Sequence, residues 1–363
     1  MLVSVSDFNS FLKKILSEKL LSIQEIIIPS MSKLNGDKSK LFFRLLRDED
    51  IIIDPGDFRT VDPAKILFYL PREILLPADY KIKKRLILGL KACDINALAI
   101  LDKALTGSGF NDPSYKHWRD NSIIISSDCN SFLPNCYCTF LGGRPFPENG
   151  FDLNLSKIDD QYMIESGSPK GDDFLDVLRR HTTLFQPSFY AVNKIRKSRL
   201  ELINKLNNRI QNDLNISAEK YAGKSEETLW TESSEKCIGC GCCTNICPSC
   251  YCLILNDEST ENEFIKVRSY DSCQLNGYAR VAGGGTPRPK ILQRFRNRIM
   301  CKFNYMPDNF NIPGCTGCGR CMDICSLGND FMLLGKTVLN NTLSDRTDEF
   351  NNIFEIYRRK EDG

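Results

Sequence analysis

Two runs of cysteines with the same spacing dominate the amino-acid sequence. Each run reads CxxCxxCxxxC, and Pro248 follows the first run whereas Ser326 follows the second. The cysteines of the two runs are Cys237, Cys240, Cys243, Cys247, Cys315, Cys318, Cys321 and Cys325. Thiolates with this spacing hold [4Fe-4S] cubes in proteins, so the first chemistry that the sequence predicts is electron transfer.

A tight turn must bring the first three thiolates of each run to one cube. Gly239 and Gly241 in the first run, and Gly317 and Gly319 in the second, supply the positive φ angles that such a turn needs. Where two such runs occur together, the fourth cysteine of each run binds the other cube. We therefore predict that cluster 1 is held by Cys237, Cys240, Cys243 and Cys325, and cluster 2 by Cys315, Cys318, Cys321 and Cys247.

Zinc is the alternative metal for closely spaced cysteines. Structural zinc sites use two short cysteine pairs that lie a dozen or more residues apart, or they mix histidine with cysteine. Here each run places four cysteines within eleven residues, and the only histidines are His117 and His181. Disulfides are disfavoured because the 17 cysteines cannot all pair and the first residues do not resemble a secretory signal. The spacing therefore favours iron-sulfur clusters in a reducing cytoplasm.

The composition is typical of a soluble globular protein with two or three domains. Of the 363 residues, 42% are hydrophobic and 26% are charged. The 48 basic and 46 acidic residues leave a formal charge of +2, which predicts no general attraction to nucleic acid or to an anionic membrane. No uninterrupted apolar stretch reaches the roughly 18 residues of a membrane span. We expect a cytoplasmic protein with neither a nucleic-acid nor a membrane partner.

The predicted fold class is an α/β N-terminal domain followed by a mainly helical, split dicluster ferredoxin-like domain. Residues 1–150 form the α/β domain, which opens with an amphipathic docking helix near Phe8. Its predicted strands lie at residues 51–53, 66–70, 86–90 and 123–125. Asp94 is predicted to cap the helix that follows the third of these strands.

The rest of the chain divides at the cysteine runs. Residues 151–235 are predicted to be a helical connector, with apolar residues at helical spacing through 194–211. Residues 236–335 form the dicluster domain, into which the basic segment 248–314 is inserted. A helix is predicted at residues 290–303 of that insertion, and residues 336–363 are a C-terminal tail.

Nine cysteines lie outside the two runs. Cys93, Cys129, Cys136 and Cys138 each follow a predicted strand, so they could converge at one edge of a sheet and hold a third cluster. The alternative is that they are ordinary core residues, since free cysteine packs well in protein interiors. The others are Cys242, Cys250, Cys252, Cys273 and Cys301, whose roles the spacing leaves open; some could line the cluster pocket or substitute for a ligand.

Seven basic residues lie between Tyr278 and Lys302 without an acidic residue among them. They are Arg280, Arg288, Lys290, Arg294, Arg296, Arg298 and Lys302. Cations near an anionic cluster stabilise its reduced form and raise its potential. A docking face for an acidic partner and a solvated helix face are the other two interpretations.

The motifs together resemble the family that comprises the β subunits of sulfhydrogenases and the A subunits of anaerobic sulfite reductases. Besides the cysteine runs, the resemblance depends on segments distributed from about residue 65 to residue 335. These segments are Leu70-Pro71-Arg72-Glu73, Ala92-Cys93-Asp94-Ile95, Cys136-Tyr137-Cys138, Asp271-Ser272-Cys273-Gln274, Val281 to Gly284, and Arg294 to Arg298 ahead of Cys301-Lys302. One departure is Ser326, which stands where the family has proline and removes no ligand.

The resemblance implies an electron-relay subunit of a cytoplasmic, anaerobic oxidoreductase complex. Its expected cofactors are two [4Fe-4S] clusters on the eight run cysteines, with Cys93, Cys129, Cys136 and Cys138 at further cysteine positions of the family. Its expected partners are a subunit that binds flavin and NAD(P), and a terminal catalytic subunit of the nickel-iron hydrogenase or sirohaem sulfite reductase type. The chain itself shows neither a dinucleotide-binding GxGxxG nor a P-loop motif, and we expect it to have no substrate site of its own.

Two other functions remain open at this point. The same clusters would suit a relay subunit of a heterodisulfide reductase-linked bifurcating complex. A function of another class is nucleic-acid binding with a structural [4Fe-4S] cluster, which the basic segment from Arg280 to Lys302 suggests.

Overall fold

A computed structural model describes residues 1–33, 39–47, 54–76, 83–107, 109–220, 225–259 and 263–343. Its strands are β1 (Leu2–Ser4), β2 (Ile23–Lys33), β3 (Ser39–Leu45), β4 (Arg72–Leu76), β5 (Lys84–Leu90), β6 (Ser122–Ser127), β7 (Leu153–Ile158), β8 (Gln161–Ser166), β9 (Leu253–Ser259) and β10 (Phe264–Tyr270). Its α-helices are α1 (Val5–Ser17), α2 (Ala92–Thr106), α3 (Pro113–Asp120), α4 (Pro169–His181), α5 (Phe189–Lys220), α6 (Glu226–Glu235), α7 (Cys242–Asn245), α8 (Ile291–Met300), α9 (Met306–Phe310), α10 (Arg320–Ile324) and α11 (Phe331–Leu343). Short 3₁₀ turns lie at Leu20–Ser22, Ala64–Leu67 and Cys138–Leu141, and a π-helix spans Cys301–Tyr305.

The N-terminal region is built on a mixed sheet with the strand order β1-β8-β7-β6-β5-β2-β3. The four inner strands β7, β6, β5 and β2 run parallel, and antiparallel pairing adds β8 with β1 at one edge and β3 at the other. Helices cover both faces, which is why a central strand such as β5 is apolar from Leu86 to Leu90 instead of alternating. The prediction of an α/β N-terminal region is therefore confirmed, and the sheet includes strands on both sides of residue 150.

Each face of this sheet has its own hydrophobic core. On one face, α1 and α4 pack through Phe8 and Phe174 against Leu88. On the other face, α2 and α3 pack through Leu98 and Tyr115 against Ile87 and its neighbours. The predicted amphipathic helix near the N-terminus thus docks on the sheet of its own chain.

The predicted local elements have mixed outcomes. Strands at 86–90 and 123–125 are present in β5 and β6, and the strand at 51–53 lies outside the described residues. The strand at 66–70 is wrong: these residues form part of the 3₁₀ turn Ala64–Leu67 and then bury Phe68 and Tyr69. The periodicity of a short buried apolar run cannot distinguish a strand from a turn of helix. Here Pro63 occupies the N-cap position, and the residues after it form a 3₁₀ turn.

Asp94 does not cap α2, contrary to the prediction. Lys91 occupies the N-cap position without a side-chain hydrogen bond. The Asp94 carboxylate instead accepts hydrogen bonds from the Ala64 amide at 3.1 Å and from the Arg320 guanidinium at 2.9 Å. A buried cation from the C-terminal region outcompetes the helix amides for this carboxylate.

The C-terminal region is helical around the cysteine runs and includes one hairpin. The predicted helix at 290–303 is present as α8 and the π-helix, and the helix at 194–211 lies within α5. The hairpin of β9 and β10 pairs with β4, so that the insertion and the N-terminal region share a three-stranded sheet. Arg268 of β10 binds Glu73 of β4 at 2.5 Å and also contacts Asp112. Most of the predicted tail, beyond residue 343, lies outside the described residues.

No helix within the described ranges has both the length and the hydropathy of a membrane span.

Candidate iron-sulfur sites

The first cysteine run forms a turn near the surface. Gly239 and Gly241 have φ angles of +69° and +76°, and the Gly239 amide donates to the Cys237 Sγ at 3.4 Å. Burial raises the pKa of Cys237, and the nearby thiols of Cys243, Cys240 and Cys325 act in the same direction. Cys237 is thus the neighbour of the other three residues predicted for cluster 1.

The second run forms the same turn in the interior. Cys315, Cys318 and Cys321 line one cavity together with Cys247, the last cysteine of the first run. Burial raises the pKa of Cys315, which the Tyr137 hydroxyl contacts at 3.3 Å. The structure therefore brings together the four residues predicted for cluster 2, and in each set the fourth cysteine comes from the opposite run.

The four cysteines of the N-terminal region also lie close together. Cys93 follows β5 and Cys129 follows β6, at the carboxyl ends of neighbouring parallel strands, where α/β proteins commonly bind ligands. Cys136 and Cys138 return to the same place, as Cys129 and Cys136 are neighbours of Cys138. Burial raises the pKa of each of these thiols, to about 12 for Cys129.

This third set adjoins the second run. The Cys136 Sγ lies 3.9 Å from the Cys318 carbonyl oxygen, and the Tyr137 amide donates to the Gly317 carbonyl at 2.7 Å. The segment from Asn135 to Cys138, which carries two cysteines of the third set, therefore packs directly against the second run.

The basic segment divides into buried and exposed cations. Arg294, Arg298 and Lys302 follow one another at helical spacing and are buried, whereas Arg280, Lys290 and Arg296 are exposed. The Arg298 guanidinium donates to the Cys243 carbonyl at 2.8 Å, and the Lys302 ammonium donates to Ser249 at 2.9 and 3.1 Å. The basic segment was interpreted as a solvated helix face or a docking face, but three of its seven cations lie in the interior beside the cysteines.

These buried cations fit the anionic clusters that the cysteines predict. Burial by itself would lower the pKa of Lys302, but the thiolates of Cys247, Cys250 and Cys301 outweigh it and raise that pKa. The buried Arg298 Nε has no hydrogen-bond partner among the residues that the structure describes. Within the described ranges, neither cation pairs with a carboxylate, although a buried charge is costly without a counter-charge. A cube held by four thiolates would supply that negative charge.

Further cations around the cysteines carried no signal in the sequence. Arg59 donates to the Cys318 carbonyl and pairs with Asp323, while Arg320 pairs with Asp94 at 2.9 Å. Lys91 donates to Ser127 Oγ at 2.7 Å beside Cys129. None of these residues belongs to a recognisable motif except Arg320, which occupies a variable position inside the second run.

Over the described residues, no group of three or more histidine, cysteine, aspartate or glutamate side chains is arranged to hold a single metal ion. In a cube, by contrast, each thiolate binds an iron of its own at a separate corner.

Comparison with known proteins assigns the region of the two cysteine runs to a domain family. A family model described as a 4Fe-4S dicluster domain matches residues 236–328, which include both cysteine runs and the insertion between them. The chain therefore contains a 4Fe-4S dicluster domain at these residues.

Over 286 residues the chain is 32% identical to Sulfhydrogenase 2 subunit beta of Pyrococcus furiosus, a match that covers 74% of this chain and 80% of that protein. The chain belongs to the sulfhydrogenase β-subunit family. Membership of this family and the dicluster domain support an iron-sulfur electron-transfer subunit.

Proposed function

We propose that the chain relays single electrons from a subunit that binds flavin and NAD(P) to a terminal catalytic subunit of the hydrogenase or sulfite reductase type, or in the reverse direction. Two [4Fe-4S] clusters would bind to the run cysteines in the crossed arrangement, and a third to Cys93, Cys129, Cys136 and Cys138. The dicluster region would be a split ferredoxin-like domain, with the insertion 248–314 between its two halves.

The observation that carries this proposal is the crossed grouping of the run cysteines around buried cations that pair with no carboxylate among the described residues. Cys325 lies with the first run, and Cys247 lies with the second. Arg298 lies between the two groups, since the thiolates of Cys243 and Cys321 both raise its pKa against the effect of burial. When bound, a [4Fe-4S] cube takes up and releases one electron.

The residues of the chain have separate tasks in this proposal. The thiolates hold the irons, and metal binding requires each thiol to release its proton. Arg298 and Lys302 offset the resulting negative charge and favour the reduced state of a cluster. The segment from Asn135 to Cys138 covers the second run and keeps water from it.

Exposed apolar side chains support the first run as the place where a partner protein docks. Cys240 is exposed, and Ile238 beside it is 70% exposed. Ile324 and Leu327, which flank Cys325, are also exposed. A partner that covers these side chains would shield cluster 1 from water and bring its own redox centre close.

The two alternative functions fare differently. Nucleic-acid binding depended on the basic segment as a charged surface, and the burial of Arg294, Arg298 and Lys302 removes part of that surface. A relay in a heterodisulfide reductase-linked complex needs the same clusters with different partners. The identity of the partner subunits therefore distinguishes this alternative from the proposed function.

Anaerobic purification of the native complex, with iron, sulfide and zinc analysis, tests the proposal. We expect at least about eight irons per chain from the two run clusters, and about four more from the third set. Cys136→Ser should lose about four irons, whereas a Cys136→Ser chain that keeps all its iron would exclude that ligand. Stoichiometric zinc without iron would overturn the whole proposal.

The same preparation identifies the partners. We expect a flavoprotein and a nickel-iron or sirohaem subunit to copurify, and NADH or NADPH to bleach the cluster absorption only when the flavoprotein is present. Copurification with a heterodisulfide reductase instead would support the alternative complex.

A further inference from the structure

Five cysteines remain outside the three sets, and four of them line one cavity. Cys250, Cys252, Cys273 and Cys301 surround a space of about 430 Å³, together with Tyr278, Arg298 and Lys302. The fifth, Cys242, is exposed beside Cys240. We propose that these four cysteines hold a further [4Fe-4S] cluster, which extends the electron relay proposed above and rests on it.

The fold assembles this fourth set from three separate segments. Cys250 and Cys252 precede β9, and Cys273 follows β10. Because Leu253 pairs with Tyr270 in the hairpin, the two strand ends coincide, and the Asp271 amide donates to the Cys252 carbonyl at 3.0 Å. The hairpin register thus brings Cys252 to Cys273 across twenty residues of sequence.

The fourth cysteine comes from the helical side of the cavity. Cys301 is the first residue of the π-helix between α8 and α9. A π-turn widens a helix locally and is frequent at functional sites. Here the Lys302 carbonyl accepts from the Gly314 amide at 3.0 Å, which joins this turn to the start of the second cysteine run.

The thiols of this set are close to one another and to cluster 2. Cys252 lines the cavity with Cys273, Tyr278 and Cys301, and all three are its neighbours. The Cys250 amide donates to the carbonyl of Cys247, a predicted ligand of cluster 2, at 3.3 Å. The fourth set therefore adjoins the predicted ligands of cluster 2 at Cys247, as the third set adjoins them at Cys318.

The charge around the cavity distinguishes a cluster from a reactive dithiol. Arg298 and Lys302 line it, both are only 3% exposed, and the Arg298 Nε lacks a partner. Lys65 donates to the Cys250 carbonyl at 3.0 Å from the N-terminal region. A cluster with four thiolates is anionic in every oxidation state that it uses and would add negative charge beside these buried cations, whereas a disulfide would add none.

The sequence pattern of the third set recurs in the fourth. Cys136-Tyr137-Cys138 in one and Cys250-Tyr251-Cys252 in the other are both Cys-Tyr-Cys, and two distant cysteines complete each set. Residues two apart in an extended segment project to the same side, so both cysteines of such a pair can face one cube. Neither segment lies in a strand or an α-helix, so neither pair is paired in a sheet or packed within a helix. With this assignment, 16 of the 17 cysteines divide into four sets of four and only Cys242 is left over.

Thiol protection in the unmodified protein provides the first test. The anaerobically purified complex is treated with iodoacetamide before and after removal of iron by a chelator under denaturing conditions, and modified cysteines are mapped by mass spectrometry. We expect Cys250, Cys252, Cys273 and Cys301 to react only after iron removal, whereas Cys242 reacts in both samples. Reaction of Cys252 and Cys301 in the iron-loaded protein, or a Cys252–Cys273 disulfide, would overturn the proposal.

Iron content of matched variants provides the second test. A double Cys252→Ser and Cys273→Ser variant should lose about four of about sixteen irons per chain, while Cys242→Ser should lose none. A double variant with the iron content of the unmodified protein would refute the fourth cluster and leave the run clusters untouched. Absence of iron from every variant would instead refute the proposed function. If the double variant does not fold, the thiol mapping in the unmodified protein tests the fourth cluster.

Discussion

The two cysteine runs share one local sequence pattern and differ in their surroundings. Both read CxGCGxC over their first seven residues, and in both the glycines have positive φ angles between +64° and +76°. In the first run Ile238 is 70% exposed and Cys240 is exposed, whereas the matching Thr316 and Cys318 are 9% and 8% exposed. One turn geometry therefore serves both a surface site and an interior site.

The cause of the difference is the cover that the N-terminal region provides. A Cβ on Gly319 would lie 2.0 Å from the Asn135 carbonyl oxygen, and one on Gly317 would lie 2.5 Å from the Cys138 Cα. A Cβ on the matching Gly239 would come no closer than 3.3 Å to the Gln274 carbonyl oxygen and 4.0 Å to the Arg294 guanidinium. The second run is thus covered by the segment from Asn135 to Cys138, which leaves it between the other three cysteine sets.

The largest expected effect is that of Gly317→Ala against its counterpart Gly239→Ala. Both replacements put alanine at a positive φ, which costs about 1–2 kcal/mol. Only Gly317→Ala also forces the new methyl group into backbone atoms of Cys138, so we expect its unfolding free energy to fall by more than about 4 kcal/mol. Anaerobic urea unfolding measures both, and equal losses in the two variants would show that the cover is not tight.

Arg320→Met is expected to have the next largest effect. Arg320 and Asp94 are both 1% exposed and lie 2.9 Å apart, so loss of the guanidinium leaves a buried carboxylate unpaired. We expect a loss of about 3–5 kcal/mol in unfolding free energy, since an uncompensated buried charge is that costly.

Cys242→Ser is the matched control, because Cys242 occupies the same position in the first run and is exposed. Its unfolding free energy should change by less than about 0.5 kcal/mol. Adding Asp94→Asn to Arg320→Met should recover part of the lost unfolding free energy, because the buried charge is then removed. If Arg320→Met loses less unfolding free energy than Cys242→Ser, the contrast between the two runs is wrong.

Lys302→Met tests the electrostatic side of the comparison. Lys302 is buried beside Cys247, Cys250 and Cys301, and its removal should make a neighbouring cluster harder to reduce. The interaction of one partly screened charge, a few kcal/mol, corresponds to a fall in midpoint potential on the order of 100 mV for one electron. A redox titration followed by electron paramagnetic resonance measures it, with exposed Arg280→Met as the control, and equal shifts in both variants would refute this role.

Chelation should show the smallest difference. Because Cys240 is exposed and Cys318 is buried, a chelator should remove the irons of the first run roughly tenfold faster, the ratio that about 1.4 kcal/mol in opening free energy gives. Cys240→Ser should abolish the fast phase of iron release, and Cys318→Ser should reduce only the slow phase. A single phase in the unmodified protein would show that the two sites are equally accessible.

The parts of the molecule that local sequence controls were predictable. The spacing of each run and its glycines predicted the two turns, and the apolar patterns predicted β5, β6, α5 and α8. These features depend on residues within a few positions of one another. Even the exchange of fourth cysteines follows from two short motifs, and the grouping of Cys325 with the first run agrees with it.

Features that depend on distant segments could not be predicted in this way. The outcome at residues 66–70 and at Asp94 depended on burial and on Arg320, which lies more than two hundred residues from Asp94. The burial of Arg298 and Lys302 depended on which face of α8 and the π-helix the cysteine runs cover.

The sequence by itself therefore determined that this protein holds its cysteines in two cluster-binding turns beside an α/β region. Only the tertiary structure decided which turn is buried, and which of the remaining cysteines meet. Cys93 and Cys129 come together because two parallel strands end at the same edge, and Cys252 and Cys273 because a hairpin closes in one register. The physical reason is that strand pairing sets distances between residues far apart in the chain, whereas cysteine spacing sets only those within one turn.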